Sequence, residues 1–200
     1  MNSENRALQA TLSQKTRRTF LRDSGAILAG SVLAGTTVPR VFAAEDNTIR
    51  LALIGCGGRG SGAVVNACEV PGGPVKLVAM ADVIEKRLTR SHEELTKLYP
   101  QNIDVPTDRR FIGFDAYRQA IDCLGPGDVA MLTGYAGFRP GHLENAVERG
   151  VNVFMEKSFA TDPPGARRVI AAGEAARKKN LKIAAGLMCR HSVNRQELIK

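Results

Sequence analysis

Gly55, Gly57 and Gly60 form a G-x-G-x-x-G turn directly after the apolar run Leu51–Ile54. The first glycine permits a tight turn, and the second lets backbone N–H groups approach a pyrophosphate. The third lets a following helix pack close, with its positive end toward the phosphates. Gly58 and Arg59 lie inside the same turn. Asp82 follows the next apolar run, 22 residues after Gly60. An acid there accepts hydrogen bonds from the adenosine ribose and repels a 2′-phosphate, which favours NAD over NADP. Its alternative use is to cap a helix. Arg59 either contacts phosphate or is solvated, and with Lys86 and Arg87 it keeps NADP possible.

Two further groups of residues follow later apolar runs. Thr133 opens the loop Thr133–His142 at the carboxyl end of a central strand, where ligands bind in open α/β sheets. Pro140 suits the first turn of the next helix, and His142 there either faces the cofactor or packs as a half-buried histidine. Glu156-Lys157 ends another strand. A lysine beside a nicotinamide could stabilise the alkoxide formed as hydride leaves, or return a proton in the reverse direction, with Glu156 setting its charge and orientation. A solvated Glu–Lys pair is the plainer alternative.

The elements that must position these groups alternate between apolar runs and amphipathic segments, as in βα units with a parallel sheet. The pattern predicts strands near 49–54, 75–81, 128–132, 151–155 and 182–186. Helices are expected near 60–69, 84–98, 115–123, 139–149 and 163–179, with glycine- and proline-rich turns between them. Helix 84–98 is expected to turn Ile84, Leu88 and Leu95 toward the sheet. The fold class expected is a Rossmann-type doubly wound parallel sheet over 44–188. Residues 189–200 would begin a truncated α+β substrate domain, the chain being the N-terminal part of a longer protein.

Residues 1–43 resemble an export signal. Arg17-Arg18 precede Phe20-Leu21, a Gly/Ala-rich stretch follows from Gly25 to Val38, and Val41-Phe42-Ala43 offers a cleavage point. The stretch is too short and small-residue-rich for a stable membrane span. The pattern matches a twin-arginine leader, so the twin-arginine export machinery is an expected partner and the location periplasmic or otherwise exported. Six of the 28 basic and two of the 20 acidic residues lie in this leader, so half of the net charge of +8 belongs to it. The remainder is scattered, which argues against nucleic acid. Cys56, Cys68, Cys123 and Cys189 are too widely spaced for a metal site, so none is expected.

On these segments the chain resembles the Gfo/Idh/MocA oxidoreductases, the family of glucose–fructose oxidoreductase and inositol dehydrogenase. The matching stretches are Ile49–Val64, Val78–Asp82, Asp128–Val129, and the helix start Arg139-Pro140-Gly141-His142. The strongest is Gly150–Lys157, which resembles the family's Gly-x-x-Val-x-x-Glu-Lys-Pro signature, with Ser158 in place of the proline. The resemblance implies that Lys157 is the substrate-site lysine, with Glu156 near the cofactor. It also implies further catalytic residues on a following domain, and little catalysis without it. The expected function is an exported NAD(P)-dependent oxidoreductase acting on a sugar or polyol. Its cofactor would be loaded before export and held tightly, and the full-length enzyme would be a homo-oligomer. NAD-dependent glycoside hydrolysis on the same fold is one alternative, and a non-catalytic nucleotide- or sugar-binding protein is another.

Overall fold

The computed structural model describes residues 47–199. The proposed leader, residues 1–43, lies outside them. Six strands form one sheet: β1 Ile49–Ile54, β2 Val75–Asp82, β3 Arg110–Ile112, β4 Val129–Leu132, β5 Asn152–Glu156 and β6 Ile183–Gly186. All pair in parallel, in the order β3-β2-β1-β4-β5-β6. This is the doubly wound Rossmann order, and its switch point lies between β1 and β4. The helices are α1 Gly58–Cys68, α2 Glu85–Leu98, α3 Ala116–Asp122, α4 Arg139–Glu148, α5 Pro163–Lys178, α6 Met188–His191 and α7 Val193–Ile199.

The strands carry short continuous apolar runs because the central ones are covered on both faces. Leu51 to Ile54 and Leu77 to Ala81 are all buried. One side chain set, Leu51, Leu53, Leu77 and Met80, packs with Val64, Leu88 and Leu95 from α1 and α2. The other, Ala52, Ile54, Ala130, Leu132 and Val153, packs with Ile121, Leu143, Ala146 and Ala172 from α3, α4 and α5. Each strand therefore delivers its carboxyl end to the same edge of the sheet.

Two features differ from expectation. β3 was not anticipated, since its three residues are too few to give a period. Ile84 does not face the sheet: it is the N-cap of α2, in extended backbone, and its side chain is 41% exposed. The cause is the preceding acid, whose Oδ1 accepts the Ile84 N–H at 2.9 Å and holds the chain outside the helix. Leu88, Ser91 and Leu95 form the buried face instead. Ser91 is accommodated there by a hydroxyl–hydroxyl bond of 2.8 Å to Ser61 of α1.

Candidate functional site

Gly55 turns the chain out of β1 with φ +100°, a left-handed value that strains a side chain, and a Cβ there would strike the Gly134 backbone. Gly60 is required by packing: its Cβ would meet the Gly55 carbonyl and the Thr133 hydroxyl. Gly57 and Gly58 are different. A Cβ on either meets nothing within 4 Å, because both border open space. Gly57 is the N-cap of α1, with no side chain capping the helix and no acid in its first turn. The first intrahelical bond runs from Ser61 N–H to Gly57 C=O, so the amides of the first turn point toward that space, as a bound anion needs.

Asp82 and Thr133 hold the turn in place. Asp82 is buried, and its Oδ2 accepts the Cys56 N–H at 2.6 Å while Oδ1 takes Ile84. It therefore ties β2 to the turn rather than serving as the N-cap itself. A carboxylate has about four acceptor positions, so two remain for a ligand. The Thr133 hydroxyl donates to the Gly55 carbonyl at 2.7 Å. Cys56 lies beneath the turn, where burial and then the Asp82 charge push its thiol pKa up and leave it inert.

Gly55, Gly57, Gly58, Asp82, Thr133 and His142 line one cleft of about 370 Å³. Its outer wall is aromatic. His142 stacks on Tyr117 with centroids 4.2 Å apart, and Phe138 lies between His142 and Phe114. Burial, followed by the charges of Arg139 and Arg118, lowers the His142 pKa to about 4, so at neutral pH the ring is uncharged. His142 is partly buried, as one sequence reading has it, and it lines the cleft. Across the mouth, Arg87 reaches the Tyr135 hydroxyl at 3.4 Å and lies over its ring.

Arg59, Glu156 and Lys157 line a second, more apolar hollow of about 770 Å³, floored by Met131 and Phe154. Arg59 Nε donates to Glu156 Oε1 at 2.7 Å. Its side chain thus joins α1 to the end of β5, neither solvated alone nor turned into the first cleft. Glu156 is 7% exposed and Arg59 52%. Lys157 is exposed, and its peptide bond to Ser158 is cis. Asp82 and Lys157 end strands three spacings apart, about 14 Å at ordinary sheet geometry, on either side of the switch point.

The residues fit a dinucleotide: open glycine positions at a helix N-terminus, a spare pair of carboxylate acceptors at β2, and a lysine beyond the switch point. Sequence reasoning missed the buried Arg139, whose guanidinium donates to the Ser158 carbonyl at 3.1 Å and to the Gly134 carbonyl. An Arg-Pro pair at a helix start carries no signal of burial. It also missed the aromatic wall, which comes from separate loops.

Among solved structures, a scyllo-inositol dehydrogenase from Lactobacillus casei with bound NAD(H) and scyllo-inositol is 24% identical, with a TM-score of 0.57. It is matched over 76% of this chain and 39% of its own. A myo-inositol 2-dehydrogenase from Lactobacillus plantarum is 22% identical with a TM-score of 0.59, over 76% and 40%. A 3-ketoreductase from Actinomadura kijaniata in complex with NADP is 22% identical with a TM-score of 0.55, over 76% and 42%. The chain therefore spans about 40% of the length of these structures, and shares with them the fold of that portion. No protein-family model and no curated protein matches the sequence.

Proposed function

We propose that the chain is the nucleotide-binding part of an exported NAD(P)-dependent oxidoreductase for sugars or polyols. The observation that carries this reading is the open position of Gly57 and Gly58 at the start of α1, in the cleft that Asp82 also lines. The dehydrogenase and ketoreductase activities of the solved neighbours support it. When bound, the nicotinamide dinucleotide supplies or accepts a hydride. The amides of the first turn of α1 hold its phosphates, and the two spare acceptors of Asp82 take ribose hydroxyls. Asp82 argues for NAD, while Arg87, one turn into α2, leaves NADP acceptable. Lys157 hydrogen-bonds the substrate oxygen, stabilising negative charge in one direction and giving a proton in the other. The Arg59–Glu156 pair braces the end of β5 that carries it.

Export places the protein where no nicotinamide pool replenishes it, so the cofactor is loaded first and kept through each cycle. The test uses the open glycine. Gly57→Val has room to fold, yet its side chain occupies the phosphate cradle. Titration with NADH, followed by nicotinamide fluorescence, is expected to show saturable binding by the wild-type chain. The variant should lose at least tenfold in affinity, equivalent to about 1.4 kcal/mol, while remaining folded. Equal binding by both would place the nucleotide elsewhere.

A further inference from the structure

Arg139 is 2% exposed and is among the largest fully buried side chains of the described residues. Burying a guanidinium is costly unless its donors are satisfied. Here the partners are two backbone carbonyls, those of Gly134 and Ser158, rather than a carboxylate. They belong to consecutive loops. Gly134 lies against the glycine turn, close enough to exclude a Cβ at Gly55, and Thr133 beside it bonds the Gly55 carbonyl. Ser158 follows Lys157 directly, and both are exposed, so side-chain packing does little to fix their turn. Serine also lacks the φ restraint that a proline would supply there.

We infer that Arg139 is a positioning residue for Lys157, one planar fork that sets the lysine turn against the glycine turn. The inference rests on the reading of Lys157 as the substrate-side lysine. The fork geometry is essential to it. A guanidinium directs several N–H groups in one plane, whereas a lysine ammonium is a point donor on a flexible stem and cannot span both carbonyls in the same way. Burial lowers the pKa of the guanidinium and the Glu156 charge opposes that shift.

The test pulses the purified chain with acetic anhydride at saturating NADH and reads acetylation at each lysine by mass spectrometry, with exposed Lys97 as the internal standard. Saturation removes any difference in affinity. Bound NADH is expected to protect Lys157 in the wild type. In Arg139→Lys that protection should be lost, with Lys97 unchanged, and hydrogen exchange across 156–159 should quicken even without nucleotide. Should Arg139→Lys fail to fold, Arg139→Ala with millimolar guanidinium chloride replaces it: protection should be absent without the added cation and restored by it. A wild-type chain that fails to bind NADH contradicts the reading of the cleft, and the inference falls with it. A folded Arg139→Lys chain that binds NADH and protects Lys157 as the wild type does overturns the inference alone.

Discussion

His142 carries a pH dependence that follows from where it sits. Its pKa is about 4 in the folded chain and about 6.5 when unfolded. Between these values the unfolded state binds a proton that the folded state does not. Stability therefore rises with pH across this window, and is lost as pH falls from about 6.5 toward 4. The full difference corresponds to about 3 kcal/mol. Urea unfolding at pH 7 and pH 5 is expected to show a drop in the wild type that is much reduced in His142→Gln. Equal drops would mean that burial beside Arg139 and Arg118 does not hold the ring neutral. At this scale the sequence was legible where type and spacing alone define a backbone role, as for Gly55 and Gly60. It was illegible where burial defines the role. Nothing distinguishes Arg139 from a solvated arginine until the two loops meet around it, and Arg59 reads as either a phosphate contact or a solvated side chain until Glu156 is placed beside it.

Strands and helices with several turns were read to within a residue or two, because continuous apolar runs and amphipathic periods report burial directly. β3 and the outward direction of Ile84 were not, since three residues hold no period and the extended Ile84 results from a hydrogen bond to Asp82. What spacing could not show is how the elements are joined across the sheet. The Arg59–Glu156 pair links α1 to β5 across a sequence separation of 97. Removing Arg59 leaves a buried carboxylate without its partner, while its own half-exposure limits the gain from pairing. A double-mutant cycle of Arg59→Met and Glu156→Gln, read by chemical denaturation, is expected to give a coupling of about 1–2 kcal/mol. Additive effects would show that the pair does not brace the lysine-bearing strand.

Across the whole molecule, the strand order brings four distant segments to one edge of the sheet, and the ligand site is divided by the switch point. Asp82 and the glycine turn lie on one side, Glu156 and Lys157 on the other, and the aromatic wall joins the segment after β3 to the segment after β4. The fold class was legible because βα alternation permits few arrangements. The division of the site was not, because it depends on the order of the strands rather than their sequence. An extended, two-ended ligand suits this layout, and a captive one suits the export proposed from the leader. The most direct test is to express the chain with its leader, recover the exported protein without added nucleotide, denature it, and identify what is released by chromatography and absorbance. The account predicts a nicotinamide dinucleotide at close to one per chain. Exported, folded protein that releases none, and that binds no added NADH, would contradict it.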